Sequence, residues 1–253
     1  MQHVPEEPRV VELGLRIIHE CERKGIVARL LGGVAVYVLA SDVYVKVPSL
    51  ARTPKDIDLV AHAKDSGRLT EVLEGIGMEP DRRFNALHGY ERLMFRDPAS
   101  GARIDVFLDV FRESHTISLR DRLELFKPTI PPSDLLMTKL QIWRISERDI
   151  KDLITLLLKF KIGNTDTAEE LDTNRIINLT SNDWGLYKTT VVNLGRVTEY
   201  LMNSKELEGT KGEVIDKVNN LLNRINSAPK SIRWRLRSII GERVKWYEEP
   251  EEV

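Results

Sequence analysis

The sequence predicts an α+β protein: a mixed sheet with flanking helices in the N-terminal half, then a helical C-terminal part. Three observations predict it. Before residue 110, windows of helical spacing interleave with short apolar runs of strand length. Asp97-Pro98-Ala99-Ser100-Gly101 joins two of those runs with the composition of a hairpin turn. From residue 131 onward only helical spacing recurs. The boundary falls near residue 128, which gives domains 1–128 and 129–253, with 129–160 contributing to the cleft of the first.

The elements follow in order. Val10, Val11, Leu13, Leu15, Ile17, Ile18 and Cys21 lie at helical spacing over 8–24. Gly14 interrupts them, and glycine weakens a helix interior; Gly25 is the stop. Residues 27–31 read as a strand ending at Gly32-Gly33. The apolar segment 34–40 reads as a helix, and 41–55 as a loop broken by Pro48 and Pro54. A strand over 56–61 precedes a helix over 66–76, with Gly77 as its stop. Strands near 86–96 and 102–110 flank the hairpin turn. Pro131-Pro132-Ser133 opens a helix running to Trp143. Ser146-Glu147-Arg148-Asp149 resembles a capping box that opens another, to about Lys159, with Gly163-Asn164 at its end. Residues 166–247 show helices and no clear strand. The acidic end, 248–252, reads as frayed.

Composition excludes several classes. With 42% apolar and 30% charged residues the profile is that of a globular chain, and no apolar run reaches membrane-span length. The start, MQHVPEEPRVVELG, lacks the basic and apolar parts of a secretory signal, so a cytoplasmic protein is expected. Cys21 is the single cysteine, which rules out an intramolecular disulfide and a cysteine-built zinc site. His3, His19, His62, His88 and His115 show no metal-ligand spacing. Trp143, Trp184, Trp234 and Trp246 read as packing residues rather than base-stacking platforms.

The chemistry concentrates in Thr53-Pro54-Lys55-Asp56-Ile57-Asp58-Leu59-Val60. Strand residues two apart share a face, so Asp56 and Asp58 point one way, with Ile57 and Leu59 behind them. Aspartate is depleted in strands, and a pair of them calls for a reason. Asp105 lies in a third run, Arg103-Ile104-Asp105-Val106-Phe107-Leu108, with Asp109 as an alternative on the same strand face. Three converging carboxylates repel one another unless a cation joins them. Gly32-Gly33, at a strand-to-helix turn, lets backbone approach a phosphate, and the helix start offers free N–H groups. Magnesium favours a few carboxylates plus phosphate oxygens, which points to a metal-bound nucleoside triphosphate.

These residues resemble the nucleotidyltransferase superfamily of the polymerase-beta type: Gly32-Gly33-Val34-Ala35, Arg52 to Leu59, and Ile104-Asp105-Val106. Within it the chain is most similar to the AbiEii-like toxin group and its uncharacterised relatives, which also carry a lysine followed by an Arg-Asp-x-x-Asp step. Here these are Lys139-Leu140 and Arg148-Asp149-Ile150-Lys151-Asp152. The resemblance covers roughly 27–160 and implies the following. Asp56, Asp58 and Asp105 bind Mg2+ (or Mn2+) and activate the acceptor. Gly32 and Gly33 hold the triphosphate, with Thr53 and Lys55 near it. Lys139 meets phosphate or the leaving group in the cleft of Asp56 and Asp58, supported by Asp149 or Asp152. The implied reaction moves a nucleoside monophosphate from a nucleoside triphosphate to a hydroxyl acceptor, and the AbiEii-like likeness implies a toxin-type use with an antitoxin partner. The alternative is a non-catalytic binding or regulatory module on the same fold.

One further feature lies outside the motifs. Residues 217–245 hold eight Lys and Arg against Glu242 alone, a patch suited to an RNA acceptor. Ile232, Leu236, Ile239, Ile240 and Val244 form a helical stripe expected to pack on the domain, with Arg235, Arg237 and Lys245 off it.

Overall fold

The computed structural model describes residues 8–249. His3 and residues 250–253 of the acidic end lie outside them. The chain divides into two compact units, each discontinuous in sequence. One takes in residues 1–39, 52–111 and 118–131; the other takes in 40–51, 112–117 and 132–253.

The first unit begins with α1 (Arg9–Arg23), which buries Val11, Gly14, Ile17, Ile18 and Cys21. Gly14 is there for space. A Cβ on it would press on Leu30 Cδ2 and Val34 Cγ1, so glycine lets α1 approach closely. Strand β1 (Ala28–Leu31) follows, buried throughout. Helix α2 (Gly32–Lys46) starts on the two glycines themselves and breaks at Ala40, where φ is −139° and ψ 17°. The expected loop over 41–55 is therefore helical to Lys46, with a 3-10 turn at Pro48–Leu50. Its apolar residues explain the difference, since Val43 and Leu50 are buried.

Strand β2 (Ile57–Ala61) leads to α3 (Ser66–Gly75), and Gly77 turns the chain with φ +92°. Next come β3 (Glu79–Pro80) and α4 (Arg82–His88). The strand expected near 86–96 is thus corrected at its start. Asp81 accepts from Phe84 N and caps a helix there. Strands β4 (Arg92–Arg96) and β5 (Arg103–Leu108) form the expected hairpin, with Asp97 accepting from Ala99 N and Ser100 N. The sheet order is β1-β2-β5-β4-β3. Only β2 and β5 pair in parallel; the other neighbours are antiparallel. That mixed sheet is the α+β arrangement the pattern predicts. Cys21 is fully buried, and burial pushes its thiol up to about 12.

Short strands β6 (Val110–Arg112) and β7 (Thr116–Ser118) pair with each other. The second unit is mostly helical, and its first long elements are α5 (Pro132–Leu140) and α6 (Glu147–Lys159). Helix α5 ends short of the expected Trp143. Two short strands appear where no strand was expected, β8 (Lys161–Gly163) and β9 (Glu170–Asp172), paired in parallel. Then come α7 (Thr173–Asn182), α8 (Trp184–Asn203), α9 (Lys211–Ser227) and α10 (Ile232–Ile240).

Two expectations for the end of the chain are corrected. The aliphatic stripe of α10 does not pack on the unit: Ile232 is 72% exposed, Leu236 62% and Ile239 74%. Trp234 and Arg237 turn inward instead, because their large flat groups find aromatic partners: Tyr187 at 5.1 Å and Trp184 at 4.7 Å. The stretch 248–249 is tied rather than frayed. Glu248 N donates to Ser114 O at 2.9 Å, and Arg112 donates to both Glu248 carboxylate oxygens.

Candidate active site

Strand β2 places the aspartates. Ile57, Leu59, Val60 and Ala61 are buried, and Asp58 alone in β2 is half-buried. Register puts Asp58 beside Asp105 on the parallel neighbour β5, where matched residues share a face. On the other side Leu31, the last residue of β1, pairs with Asp58. Gly32 follows at φ +65°, and a Cβ there would collide with Asp58 Oδ2. Glycine is thus demanded twice, by the left-handed backbone and by the carboxylate against it. At Gly33 a Cβ would meet the Arg52 guanidinium. The turn at Gly32 and the register of β2 with β5 bring the Gly-Gly pair, Asp58 and Asp105 together.

Asp56 stands just before β2 and is exposed; its Oδ1 accepts from Arg103 N at 3.4 Å. Thr53, Lys55 and Asp56 border a cavity of about 440 Å3 together with Arg9 and the turn residues Ser100 and Gly101. Gly32 and Gly33 do not line that cavity.

Asp105 is 1% exposed and carries a partner that the sequence reading missed. Arg92 grips it with a fork: Nε donates to Oδ1 at 2.7 Å and Nη2 donates to Oδ2. The guanidinium also lies 4.7 Å from the centre of the Phe107 ring. The hairpin register was the available signal. Met94 pairs with Asp105 and Arg92 with Phe107, which sets Arg92 diagonally beside Asp105. Among the described residues, no three His, Cys, Asp or Glu side chains are grouped to hold a metal ion. Carboxylates such as Asp56 and Asp58 are donors of the type magnesium takes, and Asp105 is held by Arg92.

Asp109 is not an alternative to Asp105. The strand ends at Leu108, and Asp109 turns to φ +61°. Its Oδ1 lies 3.2 Å from His62 Nδ1, and Arg120 donates to Oδ2 from Nε and Nη2. Burial pushes its carboxyl up, but His62, Arg120 and Ala63 N together hold it below the usual range. His62 Nε2 is 2.7 Å from Glu124 Oε1, and that contact depresses Glu124. This cluster lies at the C-terminal end of β2 and ties the chain after β5 to it.

The helical unit assembles the remaining motif. Lys139 on α5 is buried, and its Nζ lies 2.9 Å from Asp149 Oδ1 and 3.0 Å from Asp152 Oδ2, both on α6. Burial works against its charge, but Asp152 and Asp149 outweigh that and raise its pKa. Asp149 has a second duty. Its side chain accepts from Ser146 N while Ser146 Oγ accepts from Asp149 N, which completes the capping box. Burial pushes Asp149 up; Lys139 and Ser146 bring it below the usual carboxylate range.

Comparisons with known proteins add the following. No family model matches the chain, and no curated protein matches it. A lincosamide antibiotic adenylyltransferase with lincomycin bound is 16% identical; the match covers 60% of this chain and 98% of that one, with a TM-score of 0.40. An antigenic nucleotidyltransferase-like protein from Paracoccidioides brasiliensis is 16% identical over 88% of this chain and 94% of its own, with a TM-score of 0.41. A tRNA-processing enzyme in an apo form is 14% identical over 94% and 79%, with a TM-score of 0.29.

Proposed function

We propose that the chain is a metal-dependent nucleotidyltransferase that moves a nucleoside monophosphate from a nucleoside triphosphate onto a hydroxyl acceptor. One observation carries the reading. Gly32, in a left-handed conformation at the end of β1, backs directly onto the carboxylate of Asp58, which stands beside Asp105 on the neighbouring parallel strand. A structural turn would need the glycine but not a carboxylate against it. The start of α2 offers backbone N–H groups to a triphosphate at that point.

In this reading the acceptor oxygen attacks the α-phosphorus, the bond to the bridging oxygen breaks, and pyrophosphate leaves with that electron pair. Asp56 and Asp58 would hold the cation, and Mg2+ or Mn2+ bound there would supply positive charge to the phosphates. Asp105 takes the acceptor proton once Arg92 yields one of its carboxylate oxygens. Thr53 and Lys55 attend the triphosphate. Lys139 is the cation for phosphate or leaving group, steadied by Asp149 and Asp152. RNA is one acceptor class the reading includes, through the exposed arginines of 217–245. A toxin-type role with an antitoxin partner is its most specific form.

The Arg92–Asp105 fork favours a second reading, a binding or regulatory module in which that carboxylate is neutralised for good. Incubation with each labelled nucleoside triphosphate, Mg2+ and a cell extract separates the two. Transfer of label to any acceptor, lost in Asp58→Asn at unchanged melting temperature, supports the enzyme. Full transfer by Asp58→Asn would sink the assignment. Absence of label with every nucleotide favours the module.

A further inference from the structure

All four tryptophans lie in the helical unit, and three of them line one cavity. Its volume is about 720 Å3, inside the range of small-molecule sites, ~300–1,000 Å3. Trp184 comes from α8, Trp234 from α10, and Trp246 and Tyr247 from the segment after α10. Trp246 meets Trp184 edge-on at 6.0 Å and Tyr247 edge-on at 5.4 Å. Trp143 stacks on Tyr247 at 4.7 Å. These rings brace one another around a space instead of closing it.

The charges around the wall decide what fits. Arg237 lies over Trp184 at 4.7 Å, and Lys245 lies over Tyr247 at 5.0 Å. A cationic guest would seek those ring faces, and the chain's own cations already hold them. Both acids in the wall are engaged. Asp183 accepts from Leu186 N at 2.9 Å, and Glu248 takes both ends of the Arg112 fork. Lys245 is offset by Glu249 at 3.1 Å. Arg233 also lines the cavity, is exposed, and makes no ion pair among the described residues. The charge left for a guest is therefore positive, beside aromatic walls.

We propose that this cavity binds an anionic, planar aromatic molecule of the nucleoside-monophosphate class, its base among the indoles and its phosphate at Arg233. The site shares no residue with the aspartate site and does not depend on the transfer reaction.

The test titrates the intact chain with adenosine monophosphate in the presence of EDTA, by tryptophan fluorescence and calorimetry. Adenosine and ribose 5-phosphate are the two half-ligands. Saturable binding of adenosine monophosphate is expected, with each half at least about tenfold weaker. Arg233→Ala and Leu236→Glu should each weaken it about tenfold. Both side chains line the cavity and are exposed, so the fold is kept, which the melting temperature checks. Asp58→Asn should bind like the natural chain. Lack of saturable binding at millimolar ligand would overturn the proposal. So would equal binding of ribose 5-phosphate, indifference to both cavity variants, or loss in Asp58→Asn.

Discussion

Gly32 shows how much one residue can decide. Any other residue there must adopt φ +65° and push its Cβ into the Asp58 carboxylate. Gly32→Ala should therefore cost about 1–3 kcal/mol of stability, and transfer should fall more than stability alone explains, because Asp58 is displaced. Melting curves beside the labelling assay check this; an alanine variant with normal transfer would contradict the geometry. His115 makes the second residue-scale prediction. Burial pushes its pKa down to about 4, with Asp183 and Glu248 pulling part of the way back. The unfolded chain takes up that proton near 6.5 and the folded chain near 4. Stability from a neutral His115 is thus complete above 6.5 and is lost as pH falls toward 4, by roughly 3 kcal/mol. His115→Gln should flatten the pH dependence of the melting temperature within that window and leave it unchanged above. At this scale the i, i+2 spacing of Asp56 and Asp58 and the place of Gly32-Gly33 after a strand were legible, though β2 begins at Ile57 and leaves Asp56 just outside it; that Asp58 neighbours Asp105 depends on register. Arg92 was not legible, because its role depends on the register of a hairpin.

At the scale of elements, one lysine joins two helices. Lys139 on α5 is the common partner of Asp149 and Asp152 on α6, and Asp152 is 1% exposed. Lys139→Met leaves two carboxylates without that cation and should cost about 3–5 kcal/mol, partly recovered by adding Asp152→Asn. A thermal-melt cycle over four proteins, the natural chain, each single variant and the double, measures it; additive losses would mean that the pair is not coupled. The elements misread from sequence share a cause. Residues 41–46 lie between breakers yet are apolar, and burial of Val43 decides for helix. Helix α4 shows no buried face, so periodicity could not reveal it, and its Asp81 cap was the only sign. Strands β8 and β9 are three residues each, too short for a pattern.

Across the whole molecule, charge and apolar surface are unevenly spread. The formal net charge is −1, while 217–245 is strongly basic and five of its aliphatic side chains stand 46–74% exposed. Exposed aliphatic patches promote association. Replacing Ile232, Leu236 and Ile239 by serine should raise the concentration at which the protein stays monodisperse, without lowering its melting temperature. Light scattering checks the first and calorimetry the second; a drop of several degrees would show that the stripe packs after all. Spacing made the stripe legible, but which face of α10 turns inward was set by Trp234 and Arg237, and aliphatic periodicity does not register them.

The interleaving of the two units along the chain also bears on how the protein is made. Synthesis runs from the N-terminus, so residues 40–51 and 112–117 leave the ribosome long before residues 132–253, with which they form one unit. At about 5–20 residues per second, Val43 and Leu50 must wait several seconds or more for their burial partners. During that interval these apolar residues lack most of the chain with which they form one unit. A chain halted at Pro131 is therefore expected to be found with chaperones rather than free, which pull-down of the stalled chain checks.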